Sequence, residues 1–585
     1  MRHSWLSFWV IVCIEGTVSR AGGWASWAQG HAFFFVLPCW QVTKSGSLLQ
    51  RKPTKVLLKV PVIKSYPKRE LAMLGGDVLI ETLANAGVEV CFLNPGTTEI
   101  HTIVALECND RIRPISTVFE AVATGAADGY ARMAGKPAMT LLHQGVGLAN
   151  GLANLHNAKK ARVPVVNVVG QHSRSHQKYD VPLMSDVAAF AAPVSGWVKE
   201  VAAPDKMARD VAEAFAAAVG PPSQVATLIV PGDCAWTEAG QPAPPPQQIS
   251  RGPVSTDAVK RVARMLNSKE RTALILGGPV LLEADLDAAA RIQATTGARL
   301  IGSRFYARIQ RGAGRVVPDL LPYLFNDAVA DVADIRQAIL LGCSVPATFF
   351  DLPDGGGAVL PKDCNILELQ HPVGDGDGFL EVLAEELGAN ESPGTKSLPL
   401  PHRPEGPLTA AKVAAILTLD LPEGLVVSEE ANTSGVPCFE QTRAAAPHDW
   451  MGLTGGGLGQ GGTAATGAAV ACPDRKILCL EGDGGVMYTC QTLWTQARAG
   501  LDITTVVFAN RSYAVLKMEL ERLGLNCISP ELERLVDLDD PTLDFVKLAE
   551  SMGVGATRAE TAEQFASQFN ACMQSAGPHL IEAVI

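Results

Sequence analysis

At 585 residues the chain is too long for one core, and at about 150 residues per domain its length predicts three or four. With 47% hydrophobic and 19% charged residues it is not intrinsically disordered, and no apolar run in the body reaches the roughly 18 residues of a membrane span. The net charge of −11 is unevenly spread: residues 1–72 carry ten Lys or Arg against two acids, whereas 73–585 carry 39 against 58, a poor surface for nucleic acid.

The chain opens on Arg2, His3 and an apolar stretch from Trp5 to Ile14, followed by a basic segment with no acid between Gly16 and Arg69. A basic start with a short apolar segment resembles a secretory signal, and the acid-free stretch resembles a transit segment. Alternatively, Met73 marks the true start and 1–72 is a non-structural extension. Localisation divides the same way: an organelle (plastid or mitochondrion) if 1–72 is a leader, the cytoplasm otherwise.

From Gly75 strands and helices alternate. An amphipathic helix over Asp77–Ala86 is closed by Gly87, the apolar run VEVCFL leads into NPGTTE, and ISTVF precedes a small-residue helix closed by Gly135. AMTLL, the loop HQGVG, a further helix and PVVNVVG continue the pattern, which predicts a parallel sheet covered on both faces. A Pro-rich linker at 241–248 ends this first domain, taken as 73–245. TALILGGPV, ARLIGS and AILLGCS supply a second domain over 254–390, and a Gly/Pro/Ser-bearing stretch separates it from a third over 408–585. The thirteen cysteines contain no CxxC pair, which argues against a disulfide framework or a zinc knuckle.

The third domain carries the sharpest motif: EGDGG at 481–485, with Asn510 after 25 further residues from Gly484. Each end follows an apolar strand, KILCL or ITTVVF, at the edge where doubly wound sheets bind ligands, and a helix around Met487–Arg498 joins them. Gly482 and Gly484 allow a tight turn and close approach to a phosphate. Asp483 and Asn510 offer hard oxygen ligands suited to Mg2+ completed by phosphate and water.

With these residues the sequence resembles the thiamine-diphosphate enzymes of the acetolactate synthase and benzoylformate decarboxylase group, over essentially all of 75–585. The resemblance implies an α/β fold of three doubly wound parallel-sheet domains: pyrimidine-binding, central and diphosphate-binding. It implies that Asp483, Asn510 and the Ser512 carbonyl hold Mg2+, although Ala509 replaces the first Asn of the family's pair. In GGGLGQG (455–461), Leu458 would be the wedge bending the cofactor and the Gly456 carbonyl would accept from its exocyclic amine. Here Gly462-Thr463-Ala464 stands where the family has Leu-Pro-Ala, which leaves the local packing open.

Glu120 opens the segment EAVATGAADGYAR and falls where the family has its catalytic glutamate. A carboxylate at a helix start is ordinarily a dipole partner; the resemblance makes it the acid that shares a proton with the aminopyrimidine. Thr97 and His143 match positions that benzoylformate decarboxylases use beside the substrate, as Ser and His. His172 and His176 have no third ligand nearby and read as loop residues.

The implied activity is decarboxylation of a 2-oxo acid through a cofactor enamine. The alternative is an acetolactate-synthase-like carboligase, and a third possibility is a catalytically silent regulatory subunit, which retention of Glu120 argues against. A homodimer or homotetramer is implied. FAD is not legible, since IGSRFYARIQRGAG carries Arg and Gly but no fingerprint.

Overall fold

The apolar runs form the central strands of three parallel sheets in a computed structural model. It describes residues 73–246, 254–349, 357–369, 378–394, 398–525 and 529–585. Upstream it describes only four three-residue strands, paired antiparallel as Phe35–Leu37 with Thr54–Val56 and Trp40–Val42 with Leu48–Gln50. The targeting-leader reading of 1–72 otherwise lies outside the described residues.

The first sheet has the order Trp197–Glu200, Val225–Pro231, Val165–Gln171, Ala138–Leu142, Val90–Asn94, Arg113–Ser116, all parallel. Ala138–Leu142, Val165–Gln171 and Val225–Pro231 are buried at every position, as strands covered by helices on both faces must be. The first helix, Gly75–Asn85, starts two residues earlier than its pattern predicts, and the helix Glu120–Ala134 ends at Gly135 in the left-handed conformation expected of it, φ 68°. The second sheet runs Asp319–Leu320, Arg299–Gly302, Thr272–Leu276, Gln337–Leu341, Asn365–Leu369, again parallel.

The third sheet places Ile477–Gly482 and Ile503–Ala509 side by side at its centre, with Val426–Glu430 and His448–Met451 beyond one and His579–Val584 and Gly555–Ala559 beyond the other. Its edge is a surprise. Ile309–Arg311, from the IQRGAG stretch, pairs antiparallel with His448–Met451. The Arg311 guanidinium is fully buried over the Phe439 ring, 3.7 Å from its centroid, with Trp450 at 5.1 Å. This cation–π stacking fixes the strand, and burial pushes the guanidinium down to about 9.

The helices Glu120–Ala134 and Gly461–Ala471 pack through alanine and glycine into one core shared by the first and third sheets. A methyl at Gly467 would run into the Ala126 carbonyl and the Tyr130 amide, both backbone and unable to move aside. Gly467→Ala is therefore expected to cost about 1–3 kcal/mol, read as a lowered urea midpoint with unchanged slope. Among the described residues, no helix is long and apolar enough to cross a membrane.

Candidate functional site

Adjacent strands bring the N-terminal candidates to one sheet edge. Val90–Asn94 runs into Gly96 and the 3-10 turn Thr97–Glu99, while its neighbour Ala138–Leu142 runs into His143, the residue that caps the helix Gln144–Ala161. His143 Nδ1 lies 2.8 Å from Glu99 Oε2. Thr97 is exposed on the same loop. Glu120 is the first residue of its helix and is 6% exposed, with its Oε2 accepting from Asn150 Nδ2 at 3.0 Å. Gly147 separates Glu120 from His143: a Cβ there would lie 3.0 Å from Glu120 Oε1 and 3.4 Å from His143 Cβ. Both residues thus pack against Gly147.

The glycine-rich segment 455–461 is held from both sides. Asn157 donates to the Gly457 carbonyl at 2.7 Å and accepts from its amide at 3.1 Å. Asn154 donates to the Gly459 carbonyl at 3.2 Å and to the Ala121 carbonyl at 2.9 Å, joining this segment to the first turn of the Glu120 helix. On the other side Glu430 accepts from the amides of Gly459 (2.6 Å) and Gly461 (2.7 Å). Leu458 is half-buried between these anchors, and Gly456 adopts φ 75°.

The packing left open by Gly462-Thr463-Ala464 is resolved locally. The Gly462 amide donates to Glu481 Oε1 at 2.5 Å, and the Thr463 hydroxyl donates to the Gly459 and Gln460 carbonyls. Glu430 and Glu481 therefore sit together at the start of the helix Gly461–Ala471. Burial pushes both carboxyls up, that of Glu481 further because Glu430 is beside it, while the amide donors pull the other way.

Asp483 follows the strand Ile477–Gly482, and Asn510 follows Ile503–Ala509, so the paired strands set their spacing. Asp483 accepts from the Gly484 amide at 2.8 Å and the Arg511 amide at 2.6 Å, which ties the two strand ends together. Burial raises its carboxyl and these amides oppose that shift. Asn510 Oδ1 accepts from the Ser512 amide at 3.0 Å. The helix expected around Met487–Arg498 is broken into Asp483–Val486 and Thr492–Ala499. Between them the Thr489 hydroxyl donates to the Gly459 carbonyl instead of a helical partner. Among the described residues no hydrogen bond joins Glu120 or His143 directly to Asp483 or Asn510; the glycine-rich segment lies between the two groups.

Residues 73–192 match the family model described as "Thiamine pyrophosphate enzyme, N-terminal TPP binding domain", and 435–583 match its C-terminal TPP binding domain. A Mycobacterium tuberculosis protein named as an acetolactate synthase large subunit, IlvX, is 45% identical over 88% of this chain and 99% of its own. The chain belongs to the thiamine pyrophosphate enzyme family. This family also includes a Pseudomonas aeruginosa benzoylformate decarboxylase, 27% identical over 86% of the chain and 97% of its own. The fold matches that of a Rhodococcus jostii thiamine diphosphate-dependent 4-hydroxybenzoylformate decarboxylase, with a TM-score of 0.76, 23% identity and coverage of 87% and 98%. The chain is thus a thiamine-diphosphate-dependent enzyme related to both acetolactate synthases and benzoylformate decarboxylases.

Several residues at these contacts were missed in the sequence. Asn150, Asn154 and Asn157 fall at helical spacing on one face, a legible stripe of amides. Glu430 ends the run LVVSEE, where a carboxylate at a strand's carboxyl edge is itself a signal. Glu99 and Glu481 gave none, because their partners are distant in sequence.

Proposed function

We propose that this enzyme removes carbon dioxide from a 2-oxo acid and releases the corresponding aldehyde, in the manner of a benzoylformate decarboxylase. The observation that carries this is the placement of Glu120 and His143 against the same residue, Gly147, with Glu120 oriented by Asn150. A carboxyl can exchange a proton, and an imidazole near it can serve the substrate's carboxylate side.

Thiamine diphosphate, when bound, supplies an electron sink for the carbon–carbon bond that breaks. The donor set suits it: Asp483 and Asn510 are hard oxygen donors on neighbouring strand ends. Each Asp483 oxygen accepts one amide and keeps further lone pairs for a cation. Asp483, Asn510 and the Ser512 carbonyl would hold Mg2+ against the diphosphate. Gly482 and Gly484 would let backbone approach it, and the Gly456 carbonyl and Leu458 would seat the aminopyrimidine. Glu120 would exchange a proton with that ring, and Thr97 would orient the substrate carboxylate. The assembly we propose is a homodimer or a higher homo-oligomer, with FAD left out of the mechanism.

The carboligase reading is favoured by one observation, the 45% identical relative named as an acetolactate synthase large subunit. Product analysis with pyruvate and benzoylformate separates the two: an aldehyde supports the decarboxylase, a 2-hydroxy-2-acyl acid from two pyruvates the carboligase. For the decarboxylase, His143→Ala is expected to lower kcat by about 10²-fold or more with thiamine diphosphate affinity nearly unchanged. Thr97→Ala should act in the same direction more weakly, since a hydroxyl orients a carboxylate but is a poor proton donor. Steady-state kinetics with cofactor titration on each variant checks both, and normal turnover in His143→Ala would remove that residue from the site.

A further inference from the structure

We propose that Glu99 is a positioning residue for His143: its carboxylate holds the imidazole proton at Nδ1 and so leaves Nε2 as the nitrogen that gives or takes a proton. The catalytic consequence rests on the functional reading above, but the tautomer is a property of the chain itself.

The geometry is that of a carboxylate–imidazole pair. Glu99 Oε2 lies 2.8 Å from His143 Nδ1 and accepts from the Gly96 amide at 3.0 Å. The Glu99 side chain is 1% exposed and that of His143 19%, so the pair is anchored on its inner side and open on its outer one. A neutral imidazole carries one N–H; placed on Nδ1 toward Glu99, it leaves the Nε2 lone pair free. A second proton can then enter only at Nε2. In both charge states Nδ1 stays protonated, which is how a buried carboxylate orients a working histidine.

The chain makes room for this pair at two places. Glu99 closes the 3-10 turn Thr97–Glu99, and its carboxylate folds back onto the amide three residues earlier. A Cβ at Gly170, near the end of the strand Val165–Gln171, would overlap Glu99 Oε1, and one at Gly96 would overlap the His143 ring. Glu99 Oε1 itself has no hydrogen-bond partner, and Glu99 lines a cavity of about 10 Å3 with Thr98, Thr102 and Gly170. A buried carboxylate with one oxygen unpartnered is unfavourable for folding alone. A purely structural cap for Gly96 would need no histidine on the same oxygen.

The test is Glu99→Ala in the full chain. Oε2 alone meets both the Gly96 amide and Nδ1, so a glutamine oxygen in its place would still accept from Nδ1, and removal of the acceptor is needed. With 15N-labelled histidine, the His143 signals are identified by their loss in His143→Ala. The wild type is expected to show the proton on Nδ1, and Glu99→Ala to move it toward Nε2, with or without thiamine diphosphate. In turnover, Glu99→Ala should lower kcat about tenfold or more while KM and cofactor affinity change less than about twofold. In a His143→Ala background the same change should add nothing. Gly170→Ala, which displaces the carboxylate without altering its chemistry, should shift the tautomer in the same direction. A wild-type tautomer in Glu99→Ala, or an equal loss of kcat in the His143→Ala background, would overturn the proposal. If the loaded wild type decarboxylates no 2-oxo acid, the functional reading fails and the nitrogen spectra still decide the role of Glu99.

Discussion

Asp483→Ala is expected to abolish tight binding of thiamine diphosphate and all turnover while the chain remains folded. Its carboxylate stands at the end of a central strand and joins that end to its neighbour by accepting from the Gly484 and Arg511 amides. Removing it leaves two donors without their partner, at a local cost of about 1–3 kcal/mol each, which strand pairing deeper in the sheet can absorb. On the proposed metal assignment, a divalent cation between this site and a diphosphate would lose the carboxylate among its three proposed ligands, a loss that water cannot make good. Asn510→Ala should weaken binding less, because an amide contributes no charge. Titration calorimetry with Mg2+ present reads both variants, and wild-type affinity in Asp483→Ala would refute the metal assignment.

Glu120→Gln is the complementary case: cofactor affinity should persist and kcat should fall by about 10²–10⁴-fold. The amide keeps the shape of the carboxyl and its contact with Asn150 Nδ2, but it cannot pass a proton. Pre-steady-state kinetics alongside calorimetry separates loss of chemistry from loss of binding. A variant within a few-fold of the wild type would mean that the proton is handled elsewhere.

What the sequence makes legible is local structure. A run such as ITTVVF is buried on both faces because its own residues demand it, and Asn510 follows from where that run stops. Glu120 was legible in the same way, since a small-residue helix starts at it and ends at Gly135. Contacts between distant residues are not legible in it. The strand Ile309–Arg311 leaves its neighbours to pair with His448–Met451, because stacking on Phe439 and Trp450 outweighs proximity in sequence. The pairing of Glu481 with the Gly462 amide was equally invisible, as was the meeting of Glu99 with His143 across a gap of 44 positions. Periodicity describes one element at a time, whereas these contacts depend on how strands are ordered in a sheet.

The most direct measurement is carbon dioxide release from benzoylformate and other 2-oxo acids by protein stripped of cofactor and then resupplied with thiamine diphosphate and Mg2+. Release should depend on thiamine diphosphate and fall by at least about 10²-fold in Glu120→Gln. No release from any 2-oxo acid by a fully loaded, folded chain would contradict it.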